Sequence, residues 1–138
     1  MPSDADIRDI LTSVRTIAMV GWSPRPDRPS HRVAEFLKRK GYRVIPVNPG
    51  QAGQQALGET VVATLAEAAA IAPIDMVDIF RRSEEAGPVA DEAVRIGAKV
   101  VWMQIGVVDE AAASRARNAG LRVVMNRCPA IEIPHLGL

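Results

Sequence analysis

Short apolar runs of strand length alternate with helical patterns along this chain, and a glycine repeatedly marks the passage from helix to strand. Thr16–Val20, Arg43–Val47, Asp75–Phe80, Lys99–Met103 and Arg122–Met125 are the strand-type runs, with a shorter one around Glu59–Val62. Gly41, Gly97 and Gly120 stand just ahead of three of them. Unbroken Val/Ile-rich runs belong to strands covered on both faces, as in parallel sheets. The intervening segments keep helical spacing. Ile7, Ile10, Leu11 and Val14 follow acidic residues, and Val33, Phe36 and Leu37 follow Ser30 as a candidate N-cap. Thr64 and Glu67 have the capping-box interval, Pro88 fits a first helical turn, and Asp109 can cap a helix ending at Gly120.

Right-handed crossovers wind such alternation into an open parallel sheet with helices on both faces. The expected class is therefore α/β and Rossmann-like, with strand order 3-2-1-4-5 and the last strand at an edge. Pro46 removes a ladder donor, which places it late in its strand or near a bulge. The 138 residues, 48% hydrophobic and 24% charged, suffice for one core, so residues 1–138 read as a single domain. Gly50–Gly58 reads as a mobile polar loop edging the crevice, and Ala130–Leu138 as a segment packing on the surface or on a second copy in a homodimer.

Charge and composition exclude several classes. A net charge of +1 argues against bulk nucleic-acid binding. No apolar run reaches the ~18 residues of a membrane span, and the acidic N-terminus lacks the features of a signal peptide. One cysteine, Cys128, forms neither an internal disulfide nor a cysteine cluster, and two histidines, His31 and His135, make no histidine-rich metal site. A cytoplasmic setting is expected.

In an open α/β sheet the ligand lies at the carboxyl ends of the strands, where the strand order reverses. Here that crevice falls between the loops after Val20 and after Phe80. The first loop runs Gly21-Trp22-Ser23-Pro24-Arg25-Pro26-Asp27-Arg28-Pro29-Ser30. It keeps only the first glycine of a dinucleotide fingerprint, but it adds hydroxyls, arginines and a helix start able to face an anion. One reading seats a phosphate at Ser30-His31-Arg32. The other is a proline-rich turn with solvated arginines. The second strand ends in Val47-Asn48-Pro49-Gly50, without the carboxylate that holds a ribose in NAD-binding folds.

Val20-Gly21-Trp22-Ser23-Pro24, Arg28-Pro29-Ser30, Gly41–Pro49, Asp75–Arg81, Val101–Gly106 and Val123–Pro129 together resemble the small bacterial and archaeal CoA-binding proteins. That family is similar to the nucleotide-binding domain of the succinyl-CoA synthetase alpha subunit. The resemblance implies coenzyme A as ligand. It implies that Gly21 and Ser23 line the tight turn, that Arg25 and Arg28 lie near phosphates, and that Ser30, His31 and Arg32 face the pyrophosphate. Val47, Asn48 and Pro49 would flank adenine and ribose. Ile79, Phe80 and Arg81 would form the other wall, and Gln104 and Gly106 would border the pantetheine channel. The synthetase's phosphohistidine domain has no counterpart here, and no catalytic residue or metal site is read from the chain. A CoA or acyl-CoA binding module is thus expected rather than an enzyme. The alternatives are an NAD(P)-dependent oxidoreductase or a subunit of a larger acyl-CoA ligase or transferase.

Asp75 and Asp78 lie three apart on one strand and point to opposite faces. Asp75 reads as lying at the strand mouth, and Asp78 as facing the crevice or satisfying a neighbouring loop. Trp22 and Trp102 read as packing residues, and Cys128 as a small buried cysteine.

Overall fold

The computed structural model describes residues 2–138; Met1, the first of the residues taken as one domain, lies outside the described residues. The chain opens with α1 (Asp4–Ser13), held at its start by a capping box in which Ser3 Oγ accepts from the Asp6 amide and Asp6 Oδ2 accepts from the Ser3 amide. Then follow β1 (Thr16–Val20), α2 (Pro29–Arg39), β2 (Arg43–Val47) and a 3-10 turn over Pro49–Gln51. A small antiparallel hairpin, β3 (Gln55–Ala56) and β4 (Glu59–Thr60), precedes α3 (Leu65–Ile71). The chain finishes with β5 (Met76–Ile79), α4 (Ser83–Arg95), β6 (Val100–Met103), α5 (Glu110–Asn118), β7 (Arg122–Val124) and α6 (Pro129–His135).

Five strands form one parallel sheet in the order β2-β1-β5-β6-β7. This is the expected Rossmann-like order with one reduction. The third strand-type run shrinks to a single parallel bridge between Val62 and Val47 at the β2 edge. That edge explains Pro46. Its carbonyl accepts from the Val62 amide, on the outer side of β2. Within one extended residue the N–H and C=O point the same way, so the donor that proline lacks would also have faced outward. The pairing with β1 loses nothing.

Alternation along the strands divides the core into two faces. Ala18, Val20, Ile45, Val47, Val77, Ile79, Val101 and Met103 face α3, α4 and α5. Small residues on those helices, Ala86, Ala90 and Ala93 on α4 and Ala112, Ala113 and Ala116 on α5, are buried and bring the backbones close to one another. Ile17, Met19, Met76, Val100, Trp102 and Val124 face α1, α2 and α6.

Several local expectations are corrected. Ser30 does not cap α2, because Arg28 occupies that position and makes no side-chain cap bond. Pro88 lies inside α4, which begins at Ser83, so Pro88 leaves the Glu84 carbonyl without its helical donor. The Gly50–Gly58 segment is shaped by the 3-10 turn and the hairpin rather than left as a plain loop. The terminal segment keeps one of its two expected places, the surface of its own chain, and does so as a helix, α6, packed on α1 and α2. Arg8 and Lys40 hold it by donating to the carbonyls of Leu136 and Leu138.

Candidate functional site

The first loop leaves β1 through Gly21. Its amide donates to the Val47 carbonyl, and its φ of +91° is a conformation that suits glycine. A Cβ added there would lie 2.2 Å from the Phe80 carbonyl oxygen. Only glycine lets the loop pass this close to the end of β5. Beyond it the loop is braced by its own polar groups. Ser30 Oγ accepts from the Ser23 amide at 3.0 Å, and Ser23 Oγ from the Arg25 amide at 3.2 Å. Asn48 Nδ2 donates to the Trp22 carbonyl at 2.7 Å while its Oδ1 accepts from the Gly50 amide at 2.9 Å. His31 stacks on Trp22 with ring centroids 6.0 Å apart, and its two nitrogens face the Ser23 carbonyl and a Glu35 carboxylate oxygen. Ser30, His31 and Asn48 therefore spend their side chains on shaping the loop.

A cleft of about 1030 Å³ opens between one face of α2 along its length, the start of α4, the loop after β6, and α6. Such a volume is that of a roomy small-molecule pocket. Of the residues expected at the site, Arg32, Phe80, Arg81, Gln104 and Gly106 line it. Pro29 carries the first loop into its wall. Gly21, Ser23, Arg25, Arg28, Ser30 and His31 do not line it and lie in the loop and the first turn of α2. Val47 and Ile79 are buried in the face covered by α3, α4 and α5, and Asn48 and Pro49 lie at the end of β2. None of Gly50–Gly58 lines the cleft, contrary to expectation.

Sequence reasoning missed Arg39, Phe36, Glu85, Ile105, Cys128 and Ile131, all in the cleft wall. A usable signal existed for two of them. Arg32, Phe36 and Arg39 are spaced four and three apart and so share one stripe of α2.

Among the described residues the cleft wall carries four arginines, Arg32, Arg39, Arg81 and Arg82, against a single carboxylate, Glu85. Glu85 accepts from Arg82 Nε at 2.9 Å and lies 3.9 Å from Arg81. The excess is cationic, and arginine forks suit phosphate oxygens. Beneath the floor, Gln104 Nε2 donates to Asp78 Oδ1 at 2.9 Å, so Asp78 satisfies a neighbouring loop. Asp78 is fully buried, its Oδ2 has no hydrogen-bond partner, and burial pushes its carboxyl up to about 7 against the opposing pull of the Gln104 bond. Cys128 is buried at the start of α6, and burial raises its thiol above the ordinary value. Asp75 instead braces the far end of the sheet, where Oδ2 accepts from the amides of Arg15 and Thr16. No group of three or more His, Cys, Asp or Glu side chains among the described residues is arranged to hold a metal ion, and no described helix is long and apolar enough to cross a membrane.

Comparison with known proteins bears on the family and the fold. The family model described as "CoA binding domain" matches residues 15–134. The chain is 42% identical over 134 residues to YneT of Bacillus subtilis, covering 97% of this chain and 95% of that protein. A solved structure from Thermus thermophilus superposes with a TM-score of 0.91 at 33% identity, covering 98% of this chain and 99% of the other. One from Pyrococcus horikoshii superposes with a TM-score of 0.89 at 36% identity, covering 98% and 92%. A match that spans β1 to α6, and with them every wall of the cleft, places this chain in the CoA-binding domain family.

Proposed function

We propose that residues 1–138 act as one cytoplasmic domain that binds coenzyme A, or an acyl-CoA, in the cleft at the carboxyl ends of the parallel strands. The observation that carries this reading is the cationic cleft beside α2 at the carboxyl ends of β5 and β6, in a chain from the CoA-binding domain family. Coenzyme A brings a pyrophosphate and a 3′-phosphate, and arginine is the side chain best matched to both. Arg32 and Arg81, with Arg25 and Arg28 on the adjoining loop, are assigned to the phosphates. Gly21, Ser23, Ser30 and His31 keep that loop in shape for them. Asn48 and Pro49, at the end of β2, are assigned to the adenosine side, Phe80 to the opposite wall, and Gln104 and Gly106 to the pantetheine arm, while the buried Val47 and Ile79 support these from the core. The reading involves no chemical step: the protein holds or delivers the nucleotide.

Thermal unfolding with added nucleotide tests this. A ligand present at about 100 times its Kd adds roughly 2.7 kcal/mol of stability, which raises Tm by several degrees. CoA should produce such a rise and dephospho-CoA, without the 3′-phosphate, a smaller one. No shift at millimolar CoA, or a larger shift with NAD(H) or NADP(H), overturns the reading.

A further inference from the structure

The cleft is chemically two-ended. Its arginines sit on α2 and at the start of α4, whereas the wall formed by the β6–α5 loop and α6 is apolar. Ile105 is 60% exposed, Ile131 55% and Val108 41%. Ile105 and Ile131 line both the main cleft and an adjoining hollow, to which Val108 and Met125 add apolar surface and Glu110, Asn126, Arg127 and Glu132 a polar border. Among the described residues, only Ile71 joins these three as an exposed large hydrophobic side chain.

Their exposure is built in. The loop that carries Ile105 is pinned on both sides. Asn126 Oδ1 accepts from the Gly106 amide at 2.7 Å, Ser83 Oγ donates to the Gly106 carbonyl at 3.2 Å, and the same oxygen accepts from the Val108 amide at 2.9 Å. In α6 the usual preference is inverted: Ile131 faces out while its neighbour Glu132 is buried, held by Arg127 Nη1 at 3.2 Å. A rigid apolar rim that turns isoleucine toward water leaves apolar area that an occupant of the cleft would cover.

We infer that this rim is the acyl subsite of the cleft, so that the favoured ligand is an acyl-CoA with an aliphatic chain of medium length rather than free CoA. The inference rests on the CoA reading above. Gln104 and Gly106, assigned there to the pantetheine arm, flank Ile105 in the chain, so a ligand whose phosphates meet the arginines brings its sulfur end toward this rim. The occupant is thus fixed by continuity: one end of the cleft is cationic, the other aliphatic, and an acyl-CoA is an anion joined to an alkyl chain. Each methylene removed from water strengthens binding.

Calorimetric titration of the full chain with CoA and with octanoyl-CoA provides the test, alongside the Val108→Ser/Met125→Ser double variant, which changes side chains that line the adjoining hollow and not the cleft. Octanoyl-CoA should bind wild type at least tenfold more tightly than CoA. The double variant should lose that preference while its CoA affinity stays within twofold. Equal affinities in wild type, or a preference that survives in the double variant, overturn the acyl subsite yet leave CoA binding intact. Absence of CoA binding overturns the underlying reading instead. A wild-type dimer that the double variant turns into a monomer in sedimentation equilibrium shows the rim to be a self-association face, and also overturns the inference.

Discussion

The two faces of the sheet are built from different materials. The face under α3, α4 and α5 is closed by aliphatic strand residues and helix alanines, and among the described residues none of the buried polar ones belongs to it. The face under α1, α2 and α6 holds Asp78, Trp22 and Cys128 among its apolar residues, and Ser30, Gln104 and Glu132 are buried beside it. Among the described residues, both buried side-chain atoms without a hydrogen-bond partner, Trp22 Nε1 and Asp78 Oδ2, are there too. Burying polar groups lowers stability unless each is paired. Such a cost on one face alone, directly below the cleft, teaches that one side of the sheet serves stability and the other also serves the site.

The sharpest way to break this contrast is to empty the polar-bearing face. Trp102 is fully buried and donates from Nε1 to the Arg127 carbonyl at 2.8 Å. Trp102→Ala should lower unfolding stability by about 4 kcal/mol in urea titration. A loss below about 1 kcal/mol would mean that this face contributes little packing after all.

Next in size is the pH dependence lodged in Asp78. Its carboxyl titrates near 7 in the folded chain against an ordinary 3.8, so between those values the folded state holds a proton that the unfolded state has released. Its contribution to stability therefore falls as pH rises from about 4 to 7 and levels off above that, a loss of roughly 2–4 kcal/mol. Tm measured across that range should show the decline, and Asp78→Asn should flatten it. An unchanged slope in the variant removes Asp78 as the source.

Overfilling the other face should separate the two roles. Ala90→Leu pushes a larger side chain into the interior of the α3–α5 face and should lower stability by about 2 kcal/mol. CoA affinity of the folded fraction should not change. The smallest effect expected is on binding alone. Arg81→Ala should weaken CoA about tenfold, or about 1.4 kcal/mol, with little change in Tm of the free protein. Should Ala90→Leu weaken CoA as much as Arg81→Ala does, the division between faces fails.

The strands were legible because parallel, doubly covered strands must be continuous apolar runs, and the reversal point followed from their order. Gly21 was legible for the same reason: a chain that turns at the end of a central strand meets its neighbour. The helices with internal proline were not. Pro88 fits a first helical turn and the segment holding Pro134 carries no helix signal, yet each sits inside a helix that starts earlier. Nor could the sequence disclose that Glu132 is buried and Ile131 exposed, because that inversion depends on Arg127 reaching back from the end of β7. The loop polar groups that pair with one another, Ser23 with Ser30 and Asn48 with Trp22, looked equally suited to a ligand until their partners were placed.

Amide hydrogen exchange with and without saturating CoA tests the central claim most directly, because it reads both faces in one experiment. The account predicts added protection in the first loop and the start of α2, around Phe80–Arg82, and around Gln104–Gly106, with α5 and the hairpin unchanged. Protection confined to α3 and α5, or none anywhere, would contradict it.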